Sequence, residues 1–282
     1  FNGGTLRATA GVTSARAVTL TGAGTLDTNG NTVTLNGAIG GGGGALNKAG
    51  SGTLILTHAN TYSGGTTLNG GDLDVRNNTA LGTGALTLNS GSSSLVAGAN
   101  NLTLTNNVVV NAGLFQTSAN TMTLTGTISG GGAYSKVGSG TLILTNANTN
   151  SGGIALAEGT IQVANNQALG SNTVVMANGT TLRAGAAGLT LNNQIGVLAA
   201  STATIDTQAN AMILGGIVSG TGALTKNGTG KLTLLANNTI GGATTVNAGT
   251  LSVNGSLASS SMTTVNGGGT LGGNGTVGNT TI

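Results

Sequence analysis

The feature that most constrains this chain is an internal repeat. Three stretches of about thirty residues echo one another, and each carries a lysine at the same place: Lys48, Lys136 and Lys226. The lysines lie 88 residues apart (48 to 136) and 90 residues apart (136 to 226). A fixed internal period is typical of stacked architectures, in which each unit buries its apolar face against its neighbour. The repeat therefore predicts a stacked array rather than unrelated globular domains.

A shorter period lies inside the long one. The segment Thr5-Leu6-Arg7-Ala8 is echoed at residues 25–28 and again at 45–48, an offset of 20 residues each time. About twenty residues suit one coil of a right-handed parallel β-helix, in which three short strands are joined by turns and coils stack about 4.8 Å apart. Each repeat then holds about four coils, and the chain about 12–14. We expect one continuous all-β solenoid over residues 1–282, with repeat segments at roughly 1–93, 94–180 and 181–282, as a piece or processed part of a longer protein.

Local patterns favour short strands and sharp turns throughout. Runs such as Thr32-Val33-Thr34-Leu35 alternate polar and apolar residues, as expected of strands with one buried face. Glycine clusters and Asn-Gly pairs separate these runs, and both tolerate the positive φ angles of tight turns. Asn-Gly pairs also favour antiparallel hairpins, which is the competing interpretation.

Composition excludes several classes of function. Only 5% of residues are charged and 1% aromatic, and the net charge is +3. This leaves neither a basic stripe for phosphates nor a stacking platform for bases, so we expect no nucleic-acid partner. The chain has no cysteine, hence no disulfide and no thiolate metal site. We expect no cofactor and no small-molecule substrate.

Two pairs of opposite charges occupy matching places on successive predicted coils. Arg7 and Asp27 each follow a leucine, and Arg183 and Asp206 hold the corresponding places in the third repeat. The second repeat has lost both charges together. We therefore predict two inter-coil ion pairs on the outer wall, each worth less than about 1 kcal/mol if exposed.

The segment Gly50–Val75 resembles the passenger-associated transport repeat, also called the autotransporter-associated β-strand repeat. The resemblance rests on Gly-Ser-Gly-Thr-Leu, then Asn-Thr-Tyr-Ser-Gly-Gly-Thr, then Gly-x-Leu-x-Val, and it recurs at Gly138–Val163 and more loosely at Gly228–Val253. Tyr62 of the motif becomes Asn150 and then Ile240 in the later copies. The glycine pairs of the first two copies are interpreted as turn residues: Gly64, Gly65, Gly152 and Gly153.

The resemblance implies a passenger of type V secretion. Such a passenger is a right-handed β-helix that crosses an outer-membrane barrel unfolded and folds outside. It implies a location outside the cell or attached to the outer membrane of a Gram-negative bacterium, with the barrel as its partner during export. Coil-on-coil stacking can propagate from one end, and few charges and no cysteine suit passage through a pore.

No residue constellation points to an enzyme. His58 is the single histidine, and its counterparts in the other copies are Asn146 and Ala236, so it is interpreted as an outward turn residue. Asp72 and Asp74 flank a leucine on one strand and should both point outward. The repeated lysines, Lys48, Lys136 and Lys226, are expected to align along one side of the solenoid and keep its surface soluble.

The sequence thus predicts a structural role as stalk, spacer or filament of a surface protein, with end-to-end self-association into fibres through the open strand edges of its ends. One alternative is an adhesin that binds a receptor on host or neighbouring cells. Another is an ice-binding solenoid, for which Thr-x-Thr strands would have to stack on successive coils; they recur about once per repeat, which is sparse for such a face.

Overall fold

The computed structural model describes all of residues 1–282 and consists of β-strands and turns, with no helix. The strands pair in parallel and form a β-solenoid of about 14 turns. The predicted fold is therefore confirmed, and the competing hairpin interpretation is wrong. The Asn-Gly pair Asn29-Gly30 has the positive φ angles of a sharp turn, 46° and 78°, yet it joins strands of one coil rather than a hairpin. None of the elements is a helix long and apolar enough to cross a membrane.

The chain divides into two compact units. Unit 1 comprises Phe1–Leu142 with Thr149–Gly152, and unit 2 comprises Ile143–Asn148 with Gly153–Ile282.

Unit 1 contains sixteen complete strands: β1 (Thr5–Arg7), β2 (Val12–Ser14), β3 (Val18–Thr19), β4 (Gly24–Asp27), β5 (Thr32–Leu35), β6 (Ile39–Gly40), β7 (Leu46–Ala49), β8 (Thr53–Leu56), β9 (Thr66–Leu68), β10 (Gly71–Val75), β11 (Leu86–Ala97), β12 (Leu102–Leu104), β13 (Val108–Gln116), β14 (Thr121–Leu124), β15 (Ile128–Ser129) and β16 (Tyr134–Val137). The next strand, β17 (Thr141–Leu144), belongs partly to each unit.

Unit 2 contains the remaining strands: β18 (Ile154–Leu156), β19 (Thr160–Val163), β20 (Val174–Met176), β21 (Thr181–Ala184), β22 (Leu189–Leu191), β23 (Ile195–Val197), β24 (Thr202–Asp206), β25 (Met212–Leu214), β26 (Val218–Gly220), β27 (Ala223–Asn227), β28 (Lys231–Leu234), β29 (Thr239–Ile240), β30 (Thr244–Val246), β31 (Gly249–Val253), β32 (Ser256–Leu257), β33 (Thr263–Val265), β34 (Gly269–Gly272), β35 (Thr276–Val277) and β36 (Thr280–Thr281).

In unit 1 the strands stack in columns along the solenoid. The first column consists of β1, β4, β7, β9, residues 86–88 of β11, residues 108–110 of β13 and β15. The second column consists of β2, β5, β8, β10, residues 93–97 of β11, residues 113–116 of β13 and β16. The long strands β11 and β13 turn a corner and so belong to both columns.

Unit 2 repeats this organisation. Its longest column, which we call the threonine column, consists of β19, β21, β24, β27, β30, β33 and β36. A second column contains β18, β20, β23, β26 and β29, and a third contains β22, β25, β28, β31 and β34.

The predicted alternation of inward and outward residues is confirmed. Leu26, Phe115 and Ile205, each the last residue but one of its strand, are at most 3% exposed. Each is followed by a half-buried polar residue on the outer wall. The interior is thus filled mainly by stacked apolar side chains, and burial of apolar area supplies the main driving force for the stacking.

One predicted register is off by two residues. The offset of 20 holds between β1 and β4, where Leu6 pairs with Leu26, but Leu26 then pairs with Lys48 rather than with Leu46. The turn between β6 and β7 is longer than expected, because Gly41 and Gly42 take positive φ angles of 109° and 58° and loop outward. A shift by two residues preserves which face a side chain occupies, so Lys48 stands in an inward position.

Candidate functional site

The three repeated lysines lie inside the solenoid, which overturns the prediction that they keep its surface soluble. Lys48, Lys136 and Lys226 are all 0% exposed. Lys48 and Lys136 also do not share one side, because β7 belongs to the first column of unit 1 and β16 to the second. Charge suggested an exposed position, whereas the period-2 pattern of the strand placed each lysine inward.

Each buried ammonium group binds the backbone of a turn. Lys48 Nζ donates to the carbonyl oxygens of Ala49, Gly50 and Gly70, at 3.1, 2.7 and 2.9 Å. Lys226 makes the same set in unit 2, to Asn227, Gly228 and Ala248, at 3.0, 2.7 and 3.0 Å. An ammonium group has three donors and no acceptor, so three carbonyls satisfy it completely.

The third lysine follows the same plan, and the sequence holds a signal for it. Lys136 Nζ donates to the carbonyls of Val137 and Gly138, at 3.3 and 2.7 Å. In every copy a glycine with positive φ follows two residues after the lysine, with φ angles of 78°, 84° and 82° at Gly50, Gly138 and Gly228. Such a glycine turns its own carbonyl back toward the lysine. We call a buried lysine bound to turn carbonyls in this way a lysine socket, and Lys-x-Gly after an inward apolar residue is its sequence signal.

Burial changes the proton affinity of these lysines. Desolvation lowers the pKa of Lys48 to about 8, and the negative charges of Asp72 and Asp27 oppose that shift. Desolvation likewise lowers the pKa of Lys226 to about 8, opposed by Asp206. The sockets of Lys48 and Lys226 are structural elements, since each ammonium group donates three hydrogen bonds to backbone oxygen atoms.

The residues of the two predicted ion pairs face each other on successive coils. Arg7 Nε lies 3.4 Å from Asp27 Oδ2, and Arg183 Nε lies 3.2 Å from Asp206 Oδ2. The Arg7 side chain is 64% exposed and that of Arg183 is 32% exposed. The pair in unit 2 is therefore the less hydrated of the two.

Ladders of asparagine, which were not predicted from the sequence, continue the rows of these ion pairs. In unit 1, Asn111 Nδ2 donates to Asn89 Oδ1 and Asn89 Nδ2 donates to Asn69 Oδ1, both at 2.9 Å. In unit 2, Asn266, Asn247 and Asn227 form the same chain of amides, with both hydrogen bonds 2.8 Å long. An asparagine directly after the last inward residue of a strand, repeated every twenty or so residues, is the signal for such a ladder.

The threonine column carries a second row of polar residues. Its outward threonines pair in register on six successive coils: Thr181, Thr204, Thr225, Thr245, Thr264 and Thr281. The outward residues two positions further along β21, β24 and β27 are Arg183, Asp206 and Asn227 rather than threonine. The threonines thus form a single row and not the stacked Thr-x-Thr face that the ice-binding alternative requires.

Each pair of predicted turn glycines directly precedes a strand, and Gly64 and Gly152 lie in bends. Gly65 has a φ angle of 86°. A Cβ atom on Gly64 would lie 2.3 Å from the oxygen of Gly43, and one on Gly152 would lie 2.1 Å from that of Gly132. Gly153 has neither constraint, since its nearest non-neighbouring atom would be 4.0 Å from a Cβ.

Other residues with catalytic potential are kept apart. His58 is exposed on a turn, and Asp74 accepts hydrogen bonds from Arg76 at 2.9 and 3.1 Å. No group of three or more His, Cys, Asp or Glu side chains is arranged to hold a metal ion. The fold and its polar residues define a β-solenoid repeat protein whose repeated polar groups bind its own backbone.

Comparison with known proteins agrees with that class. The family model named Passenger-associated-transport-repeat matches residues 46–75, 135–163 and 224–253. The "Adhesin BmaC autotransporter" of Brucella suis biovar 1 (strain 1330) is 48% identical over 62 residues, which cover 22% of this chain and 2% of that protein. No solved structure matches the chain.

The chain therefore carries autotransporter passenger repeats. Each matched segment holds one lysine socket and the three or four strands that follow the lysine-bearing strand. Passengers of this kind are extracellular or attached to the outer membrane of Gram-negative bacteria. The chain spans only a small part of the length of the relative that it matches.

Proposed function

We propose that this chain is a structural segment of a surface passenger, acting as stalk, spacer or filament, that folds outside the cell after export through an outer-membrane barrel. The main support for this proposal is that the repeated lysines are buried and bound to the backbone. Groups that could do chemistry if they were exposed are buried in every copy and bound to turn carbonyls. The residues that the repeats share stabilise the stacking of coils on one another, as expected of a scaffold rather than of an enzyme.

An exchange experiment tests the structural role. In the full-length surface protein, residues 1–282 are replaced by an unrelated β-solenoid with a similar number of coils. A stalk or spacer tolerates this exchange, so export, surface display and attachment of the bacteria to cells should be unchanged. Loss of attachment with normal export would overturn the proposal.

We also propose end-to-end association of copies of this chain through the open strand edges of terminal coils. Leu6 is 56% exposed, although Leu26, its partner on the next coil, is 3% exposed. An apolar cavity of about 410 Å³ opens there, lined by Leu6, Val12, Val18, Leu26 and Val33 among others. Its walls are the inner faces of strands, so the surface that fits it is another coil, which a preceding segment of a longer protein or a second copy of the chain can supply.

Light scattering of the purified chain tests this association. The mass should rise with concentration, and Leu6→Asp should abolish the rise because it places a charge on the apolar end. A constant monomer mass over the whole concentration range would contradict end-to-end stacking while leaving the stalk role open to the exchange experiment.

The second candidate function is adhesion to a cell-surface receptor. It is favoured by the name of the Brucella relative, an adhesin, with which 22% of this chain aligns. In the exchange experiment an adhesin loses attachment, so the two candidates predict opposite results. Saturable binding of the purified chain to host cells would further favour adhesion.

A further inference from the structure

An uncharged polar pocket lies on the outer wall of unit 2. It has a volume of about 260 Å³ and is lined by Asn166, Gln167, Gly170, Ser171, Asn192 and Asn193. Pockets for drug-sized ligands measure roughly 300–1,000 Å³. This one therefore suits a single small ring rather than an extended ligand.

The backbone around the pocket is fixed from both sides. Below it, the buried Asn148 donates from Nδ2 to the oxygen of Ala168, at 2.6 Å. Above it, Asn193 Nδ2 donates to the oxygens of Gly170 and Asn172, at 3.1 and 2.8 Å. These hydrogen bonds join three successive coils, so the walls of the pocket are held in place before any ligand arrives.

The side chains that face the pocket have unused hydrogen-bonding groups. Asn166 uses its Oδ1 atom to accept from the backbone nitrogen of Thr190, at 2.9 Å, which fixes the amide and leaves its Nδ2 donor open. The amides of Gln167 and Asn192 and the hydroxyl of Ser171 are exposed and make no hydrogen bond within the chain. Each of these three groups both donates and accepts hydrogen bonds.

One glycine makes room for the amide of Asn192. A Cβ atom on Gly215, on the next coil, would lie 2.3 Å from Asn192 Oδ1. At the matching place in unit 1 the residue is Thr125, and the residue that matches Asn192 is Thr105. The amide wall is thus a feature of this turn and not of the repeat in general.

We propose that this pocket binds one hexose ring of a neutral glycan. Its walls offer amides and a hydroxyl, without a carboxylate, a lysine or an arginine, so a ligand gains nothing from charge. A ring with adjacent hydroxyl groups both donates and accepts, as the open amides require. Since no aromatic ring lines the pocket, the affinity comes from hydrogen bonds alone and is weak, with a Kd on the order of 1–10 mM. The proposal does not depend on the stalk role.

The test is a titration of the isotopically labelled chain, followed through its side-chain amide signals by NMR. The probes are glucose, galactose, mannose and N-acetylglucosamine, each added up to about 100 mM, well above the expected Kd. We expect saturable shifts of the Gln167 and Asn192 amide signals with at least one probe. Absence of any saturable shift with all four probes would overturn the proposal.

Matched variants make the test specific. Gln167→Thr with Asn192→Thr gives the pocket the residues found at the same places in unit 1, Thr79 and Thr105, and should weaken binding at least tenfold with an unchanged Tm. Gly215→Ala should also weaken binding, by displacing the Asn192 amide. If sugar binding persists at full strength in both variants, the sugar binds elsewhere and the proposal is wrong.

The reciprocal change offers an independent check. Thr79→Gln with Thr105→Asn and Thr125→Gly places the same amides and the same glycine on the corresponding turn of unit 1. We expect a second set of saturable amide shifts in this variant. Failure of the exchange experiment on the full-length protein would not alter these results, so the two proposals can fail separately.

Discussion

Two corresponding turns, residues 76–84 of unit 1 and residues 164–172 of unit 2, are held by buried asparagines at matching positions. Their exposed side chains differ. In unit 1, Asn60 Nδ2 donates to the oxygen of Ala80, and Asn106 Nδ2 donates to the oxygens of Gly82 and Gly84. In unit 2, Asn148 and Asn193 make the corresponding bonds to Ala168, Gly170 and Asn172. The exposed walls differ, with threonines in unit 1 and amides in unit 2.

This difference shows that buried and exposed polar residues of a repeat are under different constraints. A buried carbonyl without a donor costs the full desolvation of that group, so the buried asparagines are held in both copies. An exposed side chain can exchange its partners for water, so its identity is free to change between copies. Burial, rather than chemical type, therefore decides which polar residues a coil must keep.

The largest expected effect comes from removing a supporting amide. Asn60→Ala leaves both the Ile39 nitrogen and the Ala80 oxygen without a partner, and should lower the free energy of unfolding by about 2–4 kcal/mol. Asn148→Ala should cost a similar amount in unit 2. Urea denaturation gives the measurement, with the exposed polar neighbour of Asn60 as control: Thr61→Ala should change stability by less than about 0.5 kcal/mol. Equal effects of Thr61→Ala and Asn60→Ala would contradict the conclusion that burial decides which polar residues a coil must keep.

The lysine sockets predict a pH dependence. In the folded chain the pKa of Lys48 and of Lys226 is lowered to about 8, against 10.5 for an unperturbed lysine. Between these two pH values the unfolded chain binds more protons, so the free energy of unfolding should rise as pH increases from 8 to 10.5, and should gain nothing from these groups below pH 8.

Lysine variants test whether the lysine sockets cause this rise of the free energy of unfolding with pH. Lys48→Met and Lys226→Met should each reduce the rise of stability between pH 8 and 10.5, whereas Lys231→Met, which removes an exposed lysine, should leave it unchanged. Thermal melting at a series of pH values measures the slope. An equal slope in all three variants would mean that the sockets do not titrate in this range.

Two buried tyrosines of unit 1 sharpen the comparison. Tyr62 Oη lies 2.6 Å from Thr66 Oγ1, whereas Tyr134 Oη is buried without a hydrogen-bond partner, its ring packed edge-on against Phe115. Tyr62→Phe should destabilise by about 1 kcal/mol, and Tyr134→Phe should stabilise by about 1 kcal/mol, because it removes an unsatisfied polar atom. Denaturation midpoints of the two variants should move in opposite directions, and a shift of both in one direction would contradict this account.

The smallest effect is expected for the ion pairs on the outer wall. Arg183→Ala should cost about 0.5–1 kcal/mol and Arg7→Ala less, because the Arg7 side chain is twice as exposed. Both costs should shrink in high salt, which screens exposed charges. A larger cost for Arg7→Ala, measured by denaturation at low salt, would reverse the expected order.

Much of the fold could be predicted because each coil packs on the next in the same way, so the same sequence pattern recurs along the chain. The outward places of Arg7 and Asp27, and the inward place of Phe115, follow from alternation and from comparison of the copies. The register at Lys48 could not be predicted, because the length of a glycine-rich turn depends on how far Gly41 and Gly42 loop outward. The pocket of unit 2 could not be predicted either, since it joins residues on coils more than twenty positions apart.

The sequence by itself determined the repeat, the coil and the alternation of faces, since each depends on residues close together in the chain and on a period that recurs. Only the tertiary structure decided where the lysines go and which exposed amides meet. An ammonium group enters a core only where three carbonyls converge on it, and that convergence is created by turns of adjacent coils. Polar contacts between coils therefore belong to the stacked fold, whereas apolar periodicity belongs to the chain.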